Sequence, residues 1–279
     1  RSNPCPPRSP LPPAAASARC SRRSPCTKAT CASTTPAAGS RSPTAQRATA
    51  RITEQVGRLL PGTEVVETWV DVQTPDVAQR CAELADRPVV IVPLLLSAGY
   101  HVRHDLELAV HGRPHHVVVG ALGPDPRLST LLARRLAEAE QEPVAAEDGH
   151  AAAGAGERSE DPVVLIAAGS SDARAVADVR AQAQDLAGRL GRPVETGFVS
   201  AAQPSAPEAV EAVRKRTGRP VTAASFLLAP GQFHDRAADA GAERISAPLL
   251  VEDAVAEEIL EIVLQRRQEG LRLLASGGR

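Results

Sequence analysis

The sequence predicts an α/β protein with two similar domains in tandem, each containing a parallel sheet flanked by helices. Apolar strands alternate with amphipathic helices of about 8 to 18 residues, a pattern typical of parallel sheets. One apolar run, at residues 89–96, reads as a central strand buried on both faces. Three landmarks recur with one offset of 132 residues: Pro75 with Pro207, Arg87-Pro88 with Arg219-Pro220, and Gly99 with Gly231. This constant offset indicates an internal duplication with one copy per domain.

The composition and charge of the chain argue against two classes of binding partner, nucleic acid and membrane. The first 50 of the 279 residues carry eight basic and no acidic side chains, so the rest, with 24 basic and 33 acidic, has a net charge of −9. An acidic body argues against nucleic acid as the main partner. No apolar run approaches the roughly 18 residues that span a bilayer, so we expect no membrane partner and a cytoplasmic location. The chain contains no methionine, even at position 1, which we interpret as a fragment or a misassigned start.

Composition and periodicity also divide the chain. Residues 1–45 are rich in Pro, Ser, Ala and Arg without strand or helix periodicity, so we expect a disordered or out-of-frame segment there. A transit peptide or a basic tail remains an alternative for this segment. The N-terminal domain is predicted at 46–141, a Gly- and Ala-rich linker at 142–161, and the C-terminal domain at 162–279.

Helix and strand signals in the first half follow one another closely. Ile52 and Val56 share a helical face that Pro61-Gly62 ends. Thr74-Pro75 reads as an N-cap followed by proline at the first helical position, and Cys81 is a small core residue of that helix. The predicted elements are a helix at 44–60, a strand at 64–72, a helix from 75, a strand at 89–96, a helix at 102–110, a strand at 115–121 and a helix at 128–140.

The second half repeats the alternation. It opens with an apolar strand at 162–168, which ends in Gly169-Ser170-Ser171-Asp172. A helix then runs to residue 190. The later elements are strands at 194–199, 221–228 and 244–247, and helices at 205–217, 233–240 and 253–274.

The duplication exposes a gap in the first copy. The strand that opens the second half should have a counterpart near residues 31–42, where the sequence is CASTTPAAGSRS. No apolar strand is recognisable there, so we expect the first domain to lack its first strand. We hypothesise a reading-frame fault upstream of about residue 50, and we expect the chain as written to be weak or inactive.

Chemistry is expected at the mouth of the central strand. Ligands of open α/β sheets bind just beyond the carboxyl ends of the strands, and His101 follows the strand after a glycine break at Gly99. A structural histidine is the alternative. In the second half, Gly169 and Ser170 lie between a strand and a helix, where an anion could bind the helix N-terminus or where the loop is simply a capped turn.

The stretch PLLLSAGYHVRHDL at 93–106 resembles the sirohydrochlorin chelatase family of the CbiX type, class II chelatases. Stretches at 67–77, 117–128, 163–174 and 226–236 support the resemblance. It implies two tandem chelatase-like (flavodoxin-like) domains in a monomer with pseudo-symmetric halves. It also implies a lyase that inserts Co²⁺ or Fe²⁺, as a substrate, into sirohydrochlorin for cobalamin or siroheme synthesis. No organic cofactor is expected.

The resemblance also assigns roles to residues. It implies His101 as catalytic residue and metal ligand, Asp71 as a second metal ligand, and the substrate loop Leu96, Ser97, Ala98, Gly99, Tyr100 and His101 with Arg103. Further candidates are His234, one position beyond strict equivalence with His101, and Gly169 and Ser170. The family's other histidine has no counterpart, and Ala168 stands at its place in the second half. Two alternatives therefore stay open: a non-catalytic tetrapyrrole- or metal-binding homologue, and a generic flavodoxin-like binding module.

Overall fold

The fold consists of two four-stranded parallel sheets with helices packed against them. The computed structural model describes residues 29–34, 42–70, 75–97, 99–141, 161–251 and 254–277. The first half runs β1 (Ala29–Thr34), α1 (Pro43–Leu59), β2 (Glu64–Trp69), α2 (Val77–Glu83), β3 (Val89–Pro93), α3 (Tyr100–Val110), β4 (His116–Val118) and α4 (Pro126–Gln141). The second half runs β5 (Val163–Ala167), α5 (Ala173–Leu190), β6 (Val194–Phe198), α6 (Ala206–Thr217), β7 (Thr222–Phe226), α7 (Gln232–Ala238), β8 (Arg244–Ile245) and α8 (Glu257–Ala275).

The strand orders confirm the fold class and the duplication. The sheets have the orders β2-β1-β3-β4 and β6-β5-β7-β8, so each strand of one half has a counterpart in the other. The apolar strands β3 and β5 are buried at every position. Because side chains of a central parallel strand face helices on both sides, these continuous apolar runs belong where the sequence places them.

Strand β1 differs from our expectation that the first domain lacks its first strand. It pairs in parallel with β2 on one side and β3 on the other, with Ala29 opposite both Glu64 and Val89. A central strand is held by backbone hydrogen bonds to both neighbours, so a segment without an apolar run can occupy it. β1 and the start of α1 also fall within 1–45, which we expected to be disordered or out of frame; most of that segment and of the linker at 142–161 lies outside the described residues.

The two halves interlock through their last helices. Helix α4 of the first half packs against α5, β7 and β8, whereas α8 of the second half packs against β3 and β4. One apolar cluster consequently includes residues of both halves, among them Leu131 and Val163. Among the helices that the structure describes, none combines the length and hydropathy needed to cross a bilayer.

A buried glutamine adds a polar contact between α4 and α5. Gln182 is fully buried; its Nε2 donates to Asp125 O at 3.2 Å and to Ser129 Oγ at 2.6 Å. Its Oε1 accepts from Asp125 N at 2.9 Å. These three bonds satisfy polar groups that burial would otherwise leave unpaired, so they favour one register between the helices.

Candidate functional site

A cleft of about 360 Å³ lies between the halves at the carboxyl ends of β3, β5 and β7. Its first-half wall comes from α1, the end of β2 and the loop after β3, and its second-half wall from the loops after β5 and β7. Most of the lining side chains are apolar. Ligands of open α/β sheets bind at this edge, and here two sheets present such edges to one space.

The predicted substrate loop forms part of this cleft. Leu96, Ser97 and Gly99 line it, whereas Ala98 lies outside the described residues. A Cβ on Gly123 would lie 2.4 Å from the carbonyl oxygen of Leu96, so only glycine lets the neighbouring turn approach the loop so closely. The loop is therefore held against the turn that precedes α4.

The predicted ligating residues follow two strands whose carboxyl ends lie at one sheet edge. His101 and Tyr100 are the first residues of α3; the structure describes them by backbone only. Asp71 lies outside the described residues, two positions beyond the end of β2. Because β2 and β3 flank β1 in parallel, their carboxyl ends lie about 10 Å apart at one edge.

Arg103 does not line the cleft. It lies on the exposed surface of α3, where its Nε donates to Glu107 Oε1 at 3.1 Å. This pairing joins residues four apart on one helix. The backbone N–H of Arg103 nevertheless donates to the carbonyl oxygen of the loop residue Gly99 at 3.2 Å.

Gly169 and Ser170 form the opposite lip of the cleft. Gly169 has φ of +90°, and a Cβ there would lie 1.8 Å from Ser200 O, so glycine is required. Ser170 Oγ accepts from Asp172 N at 3.0 Å. A Cβ on Gly99 would lie 3.3 Å from Ser170 Oγ, so the loops of the two halves meet at this point.

A second cavity of about 490 Å³ adjoins the cleft and shares Gly99, Val102 and Ser170 with it. Its remaining lining is residues 171–174, where Asp172 caps α5 by accepting from Arg174 N at 2.9 Å. The same carboxylate accepts from the Arg174 guanidinium at 3.0 Å. The lip therefore carries both signs of charge next to a helix N-terminus.

His234 is turned towards its own sheet. Its Nδ1 lies 3.0 Å from Ser225 Oγ on the buried strand β7, and burial lowers the pKa of the imidazole, with the Asp235 charge opposing that shift. His234 is not among the residues that line the cleft, whereas Phe233 is. The offset of 132 puts Phe233 in the place of His101, as the one-residue displacement of His234 in the sequence already implies.

Sequence reasoning also missed Glu67. It is half-buried on β2, burial raises the pKa of its carboxyl against an opposing hydrogen bond with Thr49, and its Oε1 has no hydrogen-bond partner in the described structure. Thr49 lines the cleft. Among the residues that the structure describes, no three His, Cys, Asp or Glu side chains form a cluster able to hold a metal ion.

Comparison with known proteins identifies the family. The CbiX family model matches residues 35–139 and 162–267, one match in each half. A comparison with curated proteins gives no match.

Solved structures share the fold. SirB from Bacillus subtilis with Fe³⁺ superposes with a TM-score of 0.66 and 19% identity, over 89% of this chain and 98% of that one. CbiX, described as the terminal enzyme for biosynthesis of siroheme in denitrifying bacteria, gives 0.58 and 20%, over 87% and 99%. A multi-domain protein of Deinococcus radiodurans with structural similarity to chelatases gives 0.56 and 21%, over 88% and 55%. With both repeats matched by one family model, the chain belongs to the CbiX family.

Proposed function

We propose that this protein is a metallochelatase that inserts Co²⁺ or Fe²⁺ into sirohydrochlorin in cobalamin or siroheme biosynthesis. The observation that carries the proposal is the pair of CbiX matches on two sheets whose carboxyl ends enclose one cleft. Structures of similar fold include SirB with Fe³⁺, SirB in complex with cobalt, and a CbiX of siroheme biosynthesis.

The cleft suits a macrocycle with an apolar body and a charged rim. Leu94 and Leu96 on one side, and Leu227 and Leu228 on the other, contribute apolar walls that exclude water. Polar groups gather at the mouth, at Ser97 and in the Ser170 loop. We propose that the ring enters between the apolar walls while its carboxylates stay at the solvent-exposed opening of the cleft.

His101 is the residue that we propose for the chemistry. An entering cation must lose water while the pyrrole nitrogens lose protons. A neutral imidazole, with an ordinary pKa of about 6.5, can ligate the cation or accept such a proton at neutral pH. Asp71, which follows β2 in the sequence, would supply a carboxylate for the cation. Glu67, with its raised pKa, is a further group able to hold a proton beside the cleft.

A second candidate function is binding without catalysis. Ala168 at the end of β5 and Phe233 on α7 leave the second half without a ligating side chain at either repeat position. The segment after β1 contains no histidine. With one imidazole instead of two, the protein would hold a tetrapyrrole without metallating it.

We propose that the protein is cytoplasmic. We also propose that it is a monomer, because the two halves of one chain already supply both walls of the cleft.

A metallation assay tests the proposed function. Metal-free sirohydrochlorin is incubated with Co²⁺ or, without oxygen, with Fe²⁺, and the absorption spectrum is followed against a protein-free sample. Metallation faster than in the protein-free sample supports the chelatase. Binding without faster metallation supports the second candidate, and absence of binding contradicts both.

A further inference from the structure

The aromatic residues of this chain are concentrated at the cleft. The 279 residues include only three phenylalanines and one tryptophan. Phe198, Phe226, Phe233 and Trp69 all line the cleft. Elsewhere the buried hydrophobic residues are valine, leucine, isoleucine, alanine and one cysteine. Among the side chains that the structure describes, aromatic packing is therefore confined to this cleft.

These side chains occupy two levels of the cleft. Phe198 and Phe226 end β6 and β7 and are 1% and 2% exposed, so they form the floor. Trp69 ends β2 in the first half and is 9% exposed. Phe233, the second residue of α7, is only partly buried. Of the three phenylalanines, Phe233 is thus the one with a surface left for a ligand.

The repeat gives Phe233 a counterpart with different chemistry. His101 is the second residue of α3, as Phe233 is of α7, and each follows a strand and a glycine. Gly231 has φ of 146°, in the region that favours glycine. The two copies therefore share this helix position, although the preceding glycine has φ of −66° at Gly99 and 146° at Gly231, and one copy carries an imidazole where the other carries a phenyl ring.

We infer that Phe233 contacts the face of a flat conjugated macrocycle, so that the second half binds the ring and leaves the metal to the first half. The inference rests on the proposed function and assigns a binding residue to the same cleft. A phenyl ring cannot ligate a cation, but it offers a flat apolar surface to a conjugated ring. Such contacts between aromatic surfaces add attraction beyond the area they bury.

Titration of metal-free sirohydrochlorin tests the inference on the full chain. We expect Phe233→Ala to raise the Kd about tenfold and Phe233→Leu, which keeps apolar volume without a flat ring, about threefold. Phe233→Tyr keeps the ring and should stay within about twofold of the wild type. Leu108→Ala, at a 58% exposed position of α3 outside the cleft, is the matched control.

Kinetics separates this role from a structural one. Phe233→Ala should raise the KM for sirohydrochlorin and leave the KM for Co²⁺ unchanged, a difference that a loss of core packing around Phe233 alone would not produce. Wild-type Kd values in both Phe233→Ala and Phe233→Leu would overturn the inference, while metallation by the wild type would leave the proposed function standing. Wild-type binding without metallation would overturn the proposed function alone, because the titrations still decide the role of Phe233. A wild type that binds no tetrapyrrole would overturn both.

Discussion

Helix α8 packs against the sheet of the first half, and this packing predicts the effect of a substitution at Gly270. This glycine lies inside α8, and a Cβ there would lie 2.3 Å from Val90 Cγ1 and 3.0 Å from Val119 Cγ1. Val90 is fully buried on β3 of the other half. Gly270→Ala therefore forces a methyl group into a packed contact between α8 and the first sheet.

Two opposing effects decide the magnitude. Replacing glycine by alanine inside a helix stabilises it by about 0.5 to 1 kcal/mol. Overpacking a buried contact costs about 1 to 3 kcal/mol. We therefore expect Gly270→Ala to lower the free energy of unfolding by about 1 kcal/mol.

Gly188 offers a matched control. It lies in α5, is exposed, and a Cβ there would meet no atom within 4 Å. Gly188→Ala should therefore raise the free energy of unfolding by the helix stabilisation alone, about 0.5 to 1 kcal/mol. Urea unfolding of the two variants measures the difference, about 2 kcal/mol in favour of Gly188→Ala. Equal stabilisation by both substitutions would show that α8 does not pack on Val90.

Two further predictions concern buried polar groups. Gln182→Ala removes the bonds to buried Ser129 of α4 and to the backbone of Asp125 before it, and it should lower the free energy of unfolding by about 2 kcal/mol. The exposed Gln184→Ala on the same helix should change it by less than about 0.5 kcal/mol, and equal urea midpoints would contradict the packing of α4 on α5. Burial lowers the pKa of His116, with a hydrogen bond to the Leu84 carbonyl opposing it. A depressed folded pKa adds stability that is present above the unfolded value, near 6.5, and is lost as the pH falls towards the folded pKa. His116→Gln should therefore flatten the loss of stability between about pH 7 and 5, and an unchanged slope in unfolding experiments would refute this.

The sequence predicted best those elements whose own residue pattern is enough to identify them. Strands β3 and β5 are buried on both faces, so their patterns identify them without knowledge of their neighbours. The offset of 132 residues predicts the matching strand orders of the two sheets. The cleft position follows from the same reasoning, because the loops after buried strands meet at one edge.

The features that the sequence did not predict depend on which elements pack together in the folded chain. β1 has no apolar run, and its place follows from β2 and β3 on either side. The amphipathic pattern of α8 predicts a buried face but does not say which sheet covers it. At the site, His234 drew attention as a histidine, yet its ring contacts Ser225, and the phenylalanine before it lines the cleft.

The central claim is that His101 carries the metal chemistry, and one comparison tests it directly. Initial rates of cobalt insertion into sirohydrochlorin are measured for the wild type, His101→Ala and His111→Ala. His111 lies exposed at the other end of the same helix and keeps the histidine substitution matched. Because β1, whose absence was the reason to expect a weak or inactive chain, is present, we predict that the wild type inserts cobalt above the protein-free rate, that His101→Ala falls to that rate and that His111→Ala keeps the wild-type rate. Wild-type insertion by His101→Ala would contradict the account.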